Sequence, residues 1–143
     1  MKLTSDSFRE HGPIPAAGSP QLSWSEAPAG TASLALVCMD ADAPAGGGDV
    51  FHWCVADLPP ALAAIAADAP EGELRQGRND FGGIGYHAPS LAPGQTHHYI
   101  FRIYALDVAR LELSDGFTGA DLLNAIYGHI VDEAQLIGAY TRT

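Results

Sequence analysis

The 143 residues carry 17 acidic against 7 basic side chains, a formal net charge of −10, and are 47% hydrophobic, with five Phe, five Tyr and two Trp. That length predicts one domain over 1–143, with enough apolar material to bury roughly two-thirds of the unfolded surface. The shortage of Lys and Arg excludes nucleic acid as a partner and argues against stable association with an anionic membrane, since both need cations to neutralise phosphates.

Any phosphate bound here would have to be held locally, against the global charge. The start, Met1-Lys2-Leu3-Thr4-Ser5-Asp6-Ser7-Phe8, lacks the apolar stretch of a signal peptide. The longest apolar run, Ala61 to Ala67, is too short to cross a bilayer. With only Cys38 and Cys54 besides, the expectation is a cytoplasmic protein whose thiols are reduced and buried.

Sixteen Gly and ten Pro punctuate the chain, which points to many short strands joined by turns. To about Pro20 the chain reads as extended and irregular. Leu22-Ser23-Trp24 is a short strand ended by Ala27-Pro28-Ala29-Gly30. Ser33 to Met39 is almost wholly apolar, as a central strand covered on both faces would be. A Pro/Gly loop from Ala43 to Gly48 leads to a second such run, Val50 to Leu58. Gly77 to Gly94 is the longest irregular segment, and loops of that length are commonly functional. His97 to Leu106 is the clearest strand, rich in aromatic and β-branched residues. One amphipathic helix follows, with Thr118 as N-cap, Asp121 three residues on, and Leu122, Leu123, Ile126 and Ile130 at helical spacing. Ala134 to Thr141 closes the chain as a strand. The elements sum to an antiparallel β-sandwich with one late helix.

Chemistry concentrates near strand ends. Asp40 and Asp42 sit two apart, so in extended chain they point the same way. Such a pair raises one pKa or recruits a cation or donors, unless the strand end simply turns into solvent. His52 and Trp53 open the next strand and can lie beside 38–42 if the two strands pair. In the third strand, alternation puts His97, Tyr99, Phe101 and Ile103 on one face and His98, Ile100, Arg102 and Tyr104 on the other. The first set is the more apolar, which makes His97 and Tyr99 the inward pair. Two carboxylates, two imidazoles and a phenol could serve as a metal set, as donors for an oxyanion, or as a general acid/base pair. No nucleophile elbow, metalloprotease helix, P-loop or dinucleotide fingerprint accompanies them, so neither an enzyme nor a bound cofactor or metal is expected.

In order, these motifs resemble those of the phosphatidylethanolamine-binding protein family, in its bacterial Raf-kinase-inhibitor-like branch. Ser19-Pro20-Gln21-Leu22-Ser23-Trp24 with Ala27 to Thr31 is similar to the opening motif, and Asp40-Ala41-Asp42-Ala43-Pro44 to the Asp-Pro-Asp-Ala-Pro signature. His52-Trp53, Asn79-Asp80-Phe81-Gly82, Gly85-Tyr86 and His97-His98-Tyr99 follow in the family's order. The resemblance implies a Greek-key-type antiparallel sandwich with a shallow anion pocket built from Asp40, Asp42, His52, His97 and Tyr99, with Pro44 shaping its wall. Trp53, Tyr86 and His129 are rim candidates. Three features depart from the pattern: Ala41 for Pro, His98 for Arg, and a glycine-rich loop, Gly46 to Gly48, ahead of His52. The implied ligand is a small anion such as phosphate, a phosphorylated head group or a carboxylate. The branch also implies a regulatory protein partner, as for a kinase or protease inhibitor, and a homodimer. A weak hydrolase or metal protein would use the same residues.

Overall fold

The computed structural model describes residues 1–42, 50–69 and 72–143. Within them the chain forms β1 (Lys2–Thr4), β2 (Leu22–Ser25), β3 (Ser33–Asp40), β4 (Val50–Leu58), β5 (Ala64–Ile65), β6 (Arg75–Gln76), β7 (Thr96–Leu106), α1 (Gly119–Ile126) and β8 (Ile130–Thr141). Two antiparallel sheets result, a small one ordered β1-β2-β5 and a larger one ordered β6-β4-β3-β7-β8. The connection from β4 to β7 passes over β3, which gives the sandwich its expected Greek-key character.

β3 is buried along its whole length, as its unbroken apolar run predicts. Its even-numbered residues Leu34, Leu36 and Cys38 join Trp53, Val55, Tyr99, Phe101 and Ile103 in one core, together with Leu3, Leu22, Trp24 and Ile65 of the small sheet. Its odd-numbered residues Ala35, Val37 and Met39 join a second core with Phe51, Cys54, Tyr104, Leu106 and the helix residues Leu122 and Ile126. The large sheet is therefore the middle of three layers. Truncating a β3 leucine to alanine would cost about 2–5 kcal/mol.

Cys38 and Cys54 lie on neighbouring strands but in different cores, and both are free thiols. Burial pushes the Cys54 thiol up to about 12 and raises that of Cys38 as well. Both are held as unreactive thiols.

The helix starts where Thr118 predicts. Asp121 N–H donates to Thr118 Oγ1 at 3.1 Å, and Thr118 N–H donates to Asp121 Oδ2 at 3.0 Å, a reciprocal capping box. Gly119 lets the first turn close onto β4, since a Cβ there would fall 2.3 Å from the Phe51 ring. The helix stops four residues short of Ile130, because Gly128 takes a left-handed φ of 83° and turns the chain back. Ile130 instead begins β8, which is longer than the 134–141 segment expected, and its side chain is exposed.

Candidate functional site

Three strands bring the candidate residues together. β3 ends at Asp40, whose register partners are Val50 on β4 and Tyr99 on β7. On β4 the pairing slips: Cys38 faces Trp53 but Met39 faces Phe51, so His52 is the extra residue of a β-bulge. The bulge puts His52 on the same face as Trp53, against strict alternation. There its ring meets that of Tyr99 edge-on, with centroids 5.1 Å apart.

Asp40, His52, His97 and Tyr99 line one cavity of about 290 Å³, together with Val50, Phe81, Leu91, Ser90 and Gln95 among the described residues. Both imidazoles there are held by a hydrogen bond at Nδ1. His97 Nδ1 lies 2.6 Å from Asp40 Oδ2, and its Nε2 is unengaged among the described residues. His52 Nδ1–H donates to the carbonyl of His87 at 2.6 Å, and His87 N–H donates back to the His52 carbonyl at 2.9 Å. A carbonyl accepts only, so Nδ1 carries the proton and Nε2 is an acceptor until the ring is protonated. His52 is fully buried, and burial lowers its pKa below the usual value; the His87 carbonyl and the Asp40 charge offset part of that. Tyr99 is also fully buried, and its hydroxyl has no hydrogen-bond partner among the described residues. Burial, with Asp40 nearby, raises its pKa.

The long loop after β6 is fastened rather than loose. Buried Asn79 accepts from Phe81 N–H and Gly83 N–H and donates to the Gly85 carbonyl, while Asp80 Oδ2 accepts from Phe51 N–H at 2.8 Å. This sets Phe81 against His52, centroids 4.8 Å apart, and stacks it on His87 at 3.9 Å. Phe81 remains 47% exposed at the cavity mouth. His87, which the sequence left without a role, positions His52 through its carbonyl.

Asp42 does not join the cavity. β3 ends at Asp40, the chain turns, and Asp42 N–H donates to Asp40 Oδ1 at 2.8 Å. The Asp42 carboxylate points instead to His98, accepting from its N–H at 2.7 Å and lying 2.7 Å from its Nδ1. The His98 ring and then its N–H hold the Asp42 carboxyl below its ordinary value. The residue that departs from the family pattern thus supplies the Asp42 partner. Pro44, and the Ala43-Pro44 bond, lie outside the described residues.

The three rim candidates are placed elsewhere. Trp53 is fully buried, donates through Nε1 to Gln76 Oε1 at 2.7 Å, and with Tyr86 lines a different cavity. His129 pairs with Asp107 at 2.9 Å beyond the far end of β7. At about 3.3 Å per residue from Tyr99 to Leu106, that end is more than 20 Å from the cavity. Among the described residues, no three His, Cys, Asp or Glu side chains converge as a metal set, and no helix is long and apolar enough to cross a membrane.

The family model for phosphatidylethanolamine-binding protein matches residues 4–141. The chain belongs to that family. Similar proteins include two UPF0098 proteins: one from Methanothermobacter thermautotrophicus is 39% identical over 155 residues and one from Chlamydia muridarum 40% over 150, covering 99% and 98% of both chains. YbhB of Escherichia coli is 35% identical over 130 residues, covering 86% of this chain and 81% of its own. Among solved structures of family members, the homologue CT736 of Chlamydia trachomatis superposes with a TM-score of 0.91 at 37% identity, covering 99% of this chain and 97% of its own. YbcL of Escherichia coli also gives 0.91, at 26% identity, covering 99% and 98%.

Proposed function

We propose that this protein reversibly binds a small oxyanion, a phosphate-like or carboxylate head group, in the cavity of Asp40, His52, His97 and Tyr99, without catalysing a reaction. The observation that carries this reading is the Tyr99 hydroxyl, buried at the cavity with no partner among the described residues. An unmet buried hydroxyl costs about 1–3 kcal/mol, and an anion in the cavity would accept its proton in a charge-assisted bond. His97, oriented by Asp40, offers Nε2 as a second contact.

His52 couples binding to protons. Neutral, its Nε2 would repel an oxyanion; protonated, it donates. Because burial lowers its pKa, the donor form grows in only as pH falls below about 6.5, and affinity rises in that direction. The Asp40 carboxylate sits in the same cavity, which explains why a binder of anions needs that extra proton. Calorimetric titration with phosphate at pH 5.5, 6.5 and 8 (values chosen about the unperturbed imidazole pKa) tests this. Affinity flat across the series would refute it.

A regulatory role through a protein partner is the second reading, favoured by Phe81 and Ile84, two exposed apolar side chains on the loop beside the cavity. A partner that is captured by the wild type and lost on His52→Ala would support it.

A further inference from the structure

A second cavity, of about 270 Å³, shares no described lining residue with the first. Its walls include Trp53, Tyr86 and Ile84 on the apolar side and Asp68 and Gln76 on the polar side. Trp53 and Tyr86 meet edge-on with centroids 5.4 Å apart, so the two rings form a fixed aromatic corner. Gln76 Oε1 accepts from Trp53 Nε1, which fixes the amide and leaves Nε2 as a donor unengaged among the described residues.

The backbone at Asp68 is held in a defined conformation. Its φ of 54° is left-handed, a region that costs most side chains but is tolerated by Asp and Asn. Two bonds hold it there: Asp68 N–H donates to the Ser19 carbonyl at 2.9 Å, and Ala69 N–H donates to Ser19 Oγ at 3.0 Å. Ser19 itself is buried. Gly18 makes the room, since a Cβ there would stand 1.8 Å from Asp68 Oδ1. The carboxylate is solvent-exposed and makes no hydrogen bond or ion pair among the described residues.

The chemistry narrows the occupant. Among the described residues no cationic side chain lines the cavity, so they offer an anion no counter-charge. A hard metal ion needs about six oxygen ligands, and aromatic walls supply none. A carboxylate beside aromatic side chains suits an organic ammonium, through ion pairing and attraction to the rings. The Gln76 Nε2–H donor then asks for an acceptor next to the nitrogen. We propose that this cavity binds a small primary ammonium with an adjacent carbonyl, of the α-amino amide class, with Asp68 as its counter-ion, Gln76 donating to its carbonyl and the Trp53–Tyr86 corner against its apolar part. The site is independent of the anion cavity.

The test is an amide chemical-shift titration of the whole chain with leucinamide at pH 7 and low salt, with N-acetyl-leucinamide as the uncharged control. Saturable shifts at 18–19, 53, 68–69, 76 and 84–86 with leucinamide, and none with the control, are expected. Asp68→Asn keeps a residue that accepts the left-handed conformation, and should weaken binding by roughly tenfold or more. The same variant should keep its phosphate response at 52, 97 and 99, so that failure of this site is distinguishable from failure of the anion site. Equal binding of leucinamide and its control, wild-type affinity in Asp68→Asn, or no saturable shifts would overturn the proposal. If Asp68→Asn fails to fold, the salt dependence of the wild type decides: affinity that drops with added salt supports an ion pair, and indifference to salt overturns it.

Discussion

Replacing Tyr99 by Phe deletes one hydroxyl and keeps the ring that packs on His52. In the ligand-free protein that hydroxyl is buried and unpartnered among the described residues, so removing it relieves an unmet polar group. The expected change in stability lies between zero and about 2 kcal/mol in favour of the variant. For a chain of this length that is a rise in Tm of up to about 6 °C. With phosphate bound, the sign reverses. The wild type gains a hydrogen bond to a charged acceptor worth about 1.5–3 kcal/mol, which Phe cannot make, so phosphate should bind roughly 10- to 100-fold more weakly. Urea melts without phosphate and calorimetric titrations with it read the two effects separately. A variant that is less stable by more than about 1 kcal/mol and binds phosphate as the wild type does would show the hydroxyl to be structural, and would refute the reasoning.

Stability should itself depend on pH through His52. Its folded pKa is lowered by burial, so below about 6.5 the unfolded chain binds the proton first, and stability falls as pH drops from there towards the folded value. Melts between pH 7.5 and 5 (spanning the imidazole range) check this, and His52→Gln should flatten the slope. Asp42→Asn should leave phosphate affinity within about twofold, because its carboxylate serves the exposed His98 rather than the cavity. Loss of binding comparable to Asp40→Asn would place Asp42 back in the site. Gly119→Ala should destabilise by about 1–3 kcal/mol through collision with Phe51, without changing phosphate affinity, as urea melts and a titration would show.

What the sequence made legible was whatever depends on local periodicity. The apolar run of β3 announced a strand buried on both faces, and the capping residues of α1 announced its first turn. Alternation along β7 separated His97 and Tyr99 from His98, and the buried Tyr99, Phe101 and Ile103 confirm the inward face. Readings failed where the backbone leaves its regular period. Asp40 and Asp42 would share a face only in continued extended chain, and the turn after Asp40 sends the second carboxylate to His98. Ile130 fits helical spacing, but Gly128 ends the helix before it. Nothing in β4 signals the bulge at His52, which only pairing with β3 creates. His87, Ser90, Leu91 and Gln95 reach the site through tertiary contacts of a long loop, and no local pattern marks them.

Backbone amide shifts recorded during phosphate titration, at pH 6 and again at pH 8 (on either side of the unperturbed imidazole pKa), test the central claim most directly. Saturable shifts clustered at 40, 52, 97 and 99, tighter at pH 6, are expected, with 42, 98 and 129 little affected. Shifts absent at both values, or centred on residues away from that cavity, would contradict it.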